Sequence, residues 1–129
     1  MPDRQLKLTV LPDTFAVCQL TPEAALPDWA VPGEFLSTTR TADELSIVCS
    51  QKAVPTDVKC EGDWRCLQIA GTLDFSLIGI LAALATLLAE AGISIFVIST
   101  FATDYLLIKA HNLETAIKVL SAAGYRVTI

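Results

Sequence analysis

The sequence predicts an α+β fold built from two small related units, and three observations lead there. In the C-terminal half, two stretches repeat apolar residues at helical spacing and four others are rich in β-branched residues or alternate in polarity. Their order is strand, helix, strand, strand, helix, strand. A shift of 61 residues, without gaps, then lays the N-terminal half over this pattern.

The elements follow in order. Trp64 to Ala70 reads as a strand and Gly71 to Ser76 as a loop. The stretch "FSLIGILAALATLLAEAGISIFVIST", Phe75 to Thr100, carries one charge, Glu90. Its uncharged, helix-favouring run from Leu77 to Ala89 falls short of the about 20 apolar residues that a membrane span needs. Gly92 stops the helix predicted over Leu77 to Ala91, and Ile93 to Ser99 is predicted to be a buried strand. No Lys or Arg cluster flanks the segment, so a membrane is not an expected partner. Thr100 to Thr103 turn the chain into a strand over Asp104 to Ala110. Asn112 is placed to cap a helix whose apolar positions are Leu113, Ala116, Ile117, Leu120 and Ala123, with Gly124 as its stop. Tyr125, Val127 and Ile129 alternate with Arg126 and Thr128 in a last strand with one wet face. The result is a βαββαβ unit, the ferredoxin-like arrangement of a four-stranded sheet with two helices on one side.

At the 61-residue offset Phe35 and Leu36 fall on Phe96 and Val97, Thr39 on Thr100, Asp43 on Asp104, Leu45 on Leu106 and Ile47 on Ile108. Leu6 likewise falls on Leu67, Leu8 on Ile69 and Asp13 on Asp74. The first copy is degenerate where helices belong. Pro22, Pro27 and Pro32 break its first helix, leaving one short turn within Pro22 to Trp29, and its second shrinks to the vicinity of Val54 to Cys60. The predicted division is therefore 1–62, a degenerate unit, and 63–129, a complete one. Units of this size are marginal alone.

Composition narrows the function. Of the 129 residues 53% are hydrophobic and 18% charged, enough for a core but sparse for a solvated monomer surface. A net charge of −5 disfavours nucleic acid and anionic lipid as partners, since both call for a basic face. An RNA-binding sheet of the same topology would also carry aromatics on its central strands, and Leu67 to Ala70 has none. Met1 to Gln5 form no apolar leader, and the four cysteines (Cys18, Cys49, Cys60, Cys66) show neither C-x-x-C nor zinc spacing with the single His111. Free thiols in a reducing cytoplasm are expected. With one histidine, no nucleophile motif and no ligand cluster, no catalytic role, metal or cofactor is expected.

The run "GTLDFSLIGILAALATLLAEAGISIFVISTFATDYLLIK" followed by "NLETAIKVLSAAGYRV" resembles an ACT domain, the regulatory amino-acid-binding module of aspartate kinases and other metabolic enzymes. With "EFLSTTRTADELSIVCS" in the first half, the chain is similar to small tandem ACT proteins such as the CASTOR-type amino-acid sensors. It has no room for a kinase domain and no phosphate-binding glycine loop. The resemblance implies a non-catalytic sensor that binds a small amino acid between ACT units, forms a homo-oligomer such as a dimer and signals to a regulated protein. An oligomerisation or interaction module without ligand is the alternative.

The residues then take candidate roles. The loop Leu73, Asp74, Phe75, Ser76 opens into the helix, and the amides of Leu77, Ile78 and Gly79 would face a ligand carboxylate at the positive end of the helix dipole. Ser76 can cap the helix, touch ligand or do both. Gly79 either admits a ligand or serves helix packing. Asp74 and Asp104 are candidates for a ligand ammonium, or a solvated charge and a turn residue respectively. Family habit places Thr100, Phe101, Ala102 and Thr103 in the wall of the site. His111 is expected in an exposed loop. The helix Leu77 to Ala89 lacks a polar face, which calls for cover on two sides and hence for a second chain.

Overall fold

The computed structural model describes residues 6–70 and 79–129. Its elements are β1 (Lys7–Val10), β2 (Phe15–Leu20), β3 (Ser37–Arg40), β4 (Leu45–Ser50), β5 (Cys60–Ala70), α1 (Ile80–Glu90), β6 (Phe96–Ser99), β7 (Asp104–Lys109), α2 (Leu113–Ala122) and β8 (Arg126–Thr128). Short 3-10 turns lie at Asp28–Ala30, Gln51–Ala53 and Ala110–Asn112. By contacts the chain forms two compact units, one of Met1–Pro12 with Arg65–Ile129 and one of Asp13–Trp64.

That division differs from the contiguous 1–62 and 63–129 split, and the reason is β1. It pairs antiparallel with β5, Leu8 opposite Ile69 and Val10 opposite Leu67, and parallel with β8, Leu8 beside Val127. The Leu8 and Ile69 that match at the 61-residue offset are thus cross-strand partners and not copies of one position. β1 is an added strand of the larger unit.

In the larger unit β7 pairs with both β5 and β6, so its described strands run β6-β7-β5-β1-β8. Leu8 and Val10, Leu67 and Ile69, and Leu106 and Ile108 recur at a spacing of two and point one way. Ile80, Leu84 and Leu88 of α1, with Ala116 and Leu120 of α2, cover that face. α1 ends where Gly92 adopts φ 78°. There the Ile93 amide donates to the Leu88 carbonyl at 2.9 Å, and Ile93 is itself buried. This is a Schellman closure, which needs the left-handed residue that glycine supplies without a Cβ clash. Asn112, expected to cap α2, makes no side-chain cap bond; the 3-10 turn Ala110–Asn112 leads into the helix instead. His111 is exposed in that turn, as expected.

In the smaller unit the order is β3-β4-β2-β5, each neighbour antiparallel. Taken as first, second, third and fourth strand along the chain (β2, β3, β4, β5), this is the ferredoxin-like order with its helices gone. Where the first helix would lie, Pro27 precedes the 3-10 turn Asp28–Ala30. The region expected to hold a remnant helix, Val54 to Cys60, has only the 3-10 turn Gln51–Ala53 before it and ends in β5. Ala16, Cys18, Ala30, Leu45, Ile47 and Cys49 form the core, with Trp29, Val54 and Val58 laid over it. The Phe15 and Phe35 rings meet edge to face at 5.5 Å. The register slips by one residue between Phe15 opposite Trp64 and Val17 opposite Glu61. Asp63 takes up the bulge at φ 66°, held by the Gln51 side chain, whose Nε2 donates to Asp63 Oδ1 at 3.2 Å and whose Oε1 accepts from the Asp63 amide.

Candidate functional site

Two parts of the expected site lie in the larger unit and can be placed. One is the entry to α1. Its N-cap is Gly79, at φ 87° and ψ 2°, and no side chain caps the helix. No acidic residue occupies the first turn, so the positive end of the helix is left without a countercharge from its own segment. Among the described residues a Cβ built on Gly79 would meet nothing within 4 Å. Glycine is therefore required here by the left-handed backbone and not by helix packing. The cap at Gly79 also falls three residues beyond Ser76, where sequence reasoning set it. Leu73, Asp74, Phe75, Ser76, Leu77 and Ile78 lie outside the described residues.

The other part is the turn between β6 and β7. The Thr100 amide donates to the Thr103 carbonyl at 2.8 Å. Thr100 Oγ1 donates to the same carbonyl at 3.1 Å and accepts from the Thr103 amide at 3.2 Å. Thr103 is buried, and its Oγ1 donates to the Ile69 carbonyl at 2.7 Å. Thr103 is thus a tie and not an open wall: it fastens the turn to the last residues of β5, from which the chain continues toward α1. Phe101, in contrast, is fully exposed at 105%, and Ala102 is exposed beside it. Asp104 opens β7 opposite Ser99 and is half-buried. No hydrogen bond or ion pair engages its carboxylate among the described residues.

The structure therefore brings the turn Thr100 to Thr103 to the end of β5, with Phe101, Ala102 and Gly79 exposed and Asp104 half-buried. Sequence reasoning missed the Thr103–Ile69 tie, because a threonine in a turn gives no sign of which carbonyl it will meet. Among the described residues no group of three or more His, Cys, Asp or Glu is disposed to hold a metal ion. None of the described helices is long and apolar enough to cross a membrane.

Comparison with known proteins agrees with this architecture. A model described as an ACT domain matches residues 59–122, and a second model, describing an N-terminal domain, matches residues 13–57. Their junction falls where β5 begins. Among curated proteins no relative matches the chain. Among solved structures, the protein Atu0741 of Agrobacterium tumefaciens is 37% identical, with a TM-score of 0.92 over 97% of this chain and 94% of that one. A Vibrio cholerae protein described as of unknown function and a possible transport protein is 20% identical, with a TM-score of 0.76 over 94% of this chain and 91% of that one. The ligand-free regulatory subunit of aspartate kinase from Thermus thermophilus is 14% identical, with a TM-score of 0.61 over 90% of this chain and 95% of that one. The last two likenesses concern fold alone. Motif, strand order and the full-length Agrobacterium relative converge, and the chain belongs to the ACT-domain family.

Proposed function

We propose that this chain is a non-catalytic regulatory protein that binds a small free amino acid beside the entry to α1. A second ACT unit, from another copy of the chain, closes the site, and the complex reports to a regulated protein. The observation that carries the reading is the Thr103–Ile69 tie at 2.7 Å, which fixes a turn bearing the exposed Phe101 and the half-buried Asp104 at the end of β5. From there the chain leads to a helix entry with no side-chain cap and no acid in its first turn. A ligand carboxylate suits the helix end, and its ammonium suits Asp104. The fold shared with the aspartate kinase regulatory subunit supports a regulatory role.

The test is a thermal-shift and calorimetric screen of the free proteinogenic amino acids. At 100 times its dissociation constant the right one adds about 2.7 kcal/mol of stability. Asp104→Ala should weaken that binding by about 1–3 kcal/mol with the fold kept. A substitution at Gly79 is a poorer probe, since its φ of 87° strains any side chain before a ligand arrives. If no amino acid shifts the melting temperature, the sensor reading fails. A ligand-free interaction module then takes its place, a reading favoured by the exposed, uncharged residues Ala82, Ala83, Thr86 and Ala89 of α1.

A further inference from the structure

Spacing along the sequence suggests no cysteine pair, yet the smaller unit gathers three of the four thiols on one face of its sheet. Cys60 of β5 stands directly opposite Cys18 of β2, and Cys49 of β4 stands diagonal to Cys18, beyond the Ala16–Cys49 and Cys18–Ile47 pairs. The strand register thus makes Cys18 the neighbour of both other thiols across the sheet. Cys18 and Cys49 are buried, whereas Cys60 is exposed. The row therefore has one end open to solvent.

The ladder sets the geometry of the Cys18–Cys60 pair. The Gln19 amide donates to the Lys59 carbonyl at 3.0 Å, which makes Gln19 and Lys59 a hydrogen-bonded pair. Bonded and non-bonded pairs alternate in an antiparallel ladder, so Cys18 and Cys60 form the closer, non-bonded kind, with Cα atoms about 4.5 Å apart. That spacing lies within the range of roughly 4.4–6.8 Å that a disulfide can bridge.

We propose that Cys60 and Cys18 are a peroxide-responsive thiol pair that closes to a disulfide between β5 and β2. Cys60, the exposed member, attacks the peroxide as thiolate; the O–O bond breaks, the sulfur is oxidised to a sulfenic acid and hydroxide leaves. Cys18 then attacks that sulfur; the S–S bond forms as the S–O bond breaks, and the Cys18 proton departs with the oxygen as water. Two thiols and one peroxide thus give one disulfide and two waters. Burial pushes the Cys18 thiol up to about 12, with the Cys49 and Cys60 thiols adding to it, so Cys18 does not react with peroxide in solution on its own. It is the resolving partner. Cys49, whose thiol burial also raises, stays a packed core residue.

The four cysteines fall in four different tryptic peptides: Cys18 in 8–40, Cys49 in 41–52, Cys60 in 60–65 and Cys66 in 66–109. The native full chain is treated with hydrogen peroxide, quenched, denatured, alkylated and digested. The expected result is a loss of about 2 Da, two alkylated cysteines where the untreated chain has four, and a link between peptides 8–40 and 60–65 that dithiothreitol reverses. In Cys18→Ser, Cys60 should stop at the sulfenic acid and be captured by dimedone, while Cys49→Ser should leave the link intact. Four alkylated thiols after oxidation would overturn the proposal. So would a link from Cys60 to Cys49 or Cys66, a link between two chains, overoxidised Cys60 beside alkylatable Cys18, or the same link forming equally well in urea, where no register exists.

Discussion

The two units share one strand plan and differ in what covers it. In each, the chain's second and third strands form a hairpin on one side of the first, and the fourth lies on the other side: β3-β4-β2-β5 in the smaller unit, β6-β7-β5 and β8 in the larger. The larger unit adds β1 between its first and fourth strands and lays two helices on the sheet. The smaller unit has neither addition. Its Pro22, Pro27 and Pro32 forbid a long helix, so single residues such as Trp29, Ala30, Val54 and Val58 do the covering. The strand order is kept with or without helices, because the ladders hold it. The helices supply the apolar depth of the core.

Removing residues 1–12 tests that contrast most severely. β1 fills the slot between β5 and β8 and buries Leu8 and Val10, so its loss should abolish the folded larger unit. Amide NMR of 13–129 should lose the dispersed resonances of β6 and β7; full retention of them would show β1 to be an ornament. Next in size, Leu84→Ala hollows the helix-covered core and should cost about 2–5 kcal/mol in urea denaturation. Val58→Ala, trimming a half-buried residue of the smaller unit's cover, should cost only about 1 kcal/mol. Equal losses would break the distinction between helix cover and single-residue cover.

The two hairpin turns give a finer comparison. Both close with the same bond across four residues, Thr41 amide to Glu44 carbonyl at 2.9 Å and Thr100 amide to Thr103 carbonyl at 2.8 Å. Only the second is fastened by a buried hydroxyl. Thr103→Val, which orphans the Ile69 carbonyl, should cost about 1–3 kcal/mol. Thr41→Ala, at an exposed turn, should change stability by less than about 0.5 kcal/mol. A pH dependence sets the two units side by side. Burial holds the Cys66 thiol of the larger unit and the Cys18 thiol of the smaller at about 12, above the 9.0 of an open chain. The folded protein keeps these protons after the unfolded chain has lost them. Their contribution is complete below pH 9 and is lost as pH rises through 9 toward 12, at most about 1.4 kcal/mol per pH unit for each thiol. The urea midpoint should fall between pH 8 and pH 10, and Cys66→Ser should flatten that fall.

The larger unit was legible because its signals agree. The spacing of Leu84, Leu88, Ala116 and Leu120, the stop at Gly92 and the β-branched run to Ile98 all name the same elements. The smaller unit was read through its likeness to the larger, and there the 61-residue offset misled. The hairpins actually correspond at 59, Arg40 with Ser99 and Leu45 with Asp104, judged from their pairings. Strand side chains alternate with a period of two, so a slip of two keeps every apolar residue on its face and leaves the pattern of matches intact. Leu8 matched Ile69 for a related reason, since strands that pair on one face carry the same alternation. The start of β5 at Cys60, in the polar run Cys60 to Trp64, gave no strand signal at all, for its partner is what makes it a strand. Of the candidate site, the turn at Thr100 to Thr103 was legible, whereas the helix entry was set at Ser76 and Leu77, three residues early. The cap at Gly79 was not legible, because a left-handed residue before a helix leaves no periodic trace.

β1 also sets a timetable. It precedes in sequence both of its ladder partners, β5 and β8, with the strands of the smaller unit lying between it and β5. The smaller unit, by comparison, has all its strands once the ribosome has passed Trp64. During translation Leu8 and Val10 therefore stay unpaired until Leu67 and Ile69 of β5 have been made, just after the smaller unit's strands. A strand of only four residues is a modest exposure for so long a delay. The parallel pairing of Lys7 with Arg126 then joins strands 119 residues apart, a long-range closure of the kind that slows folding.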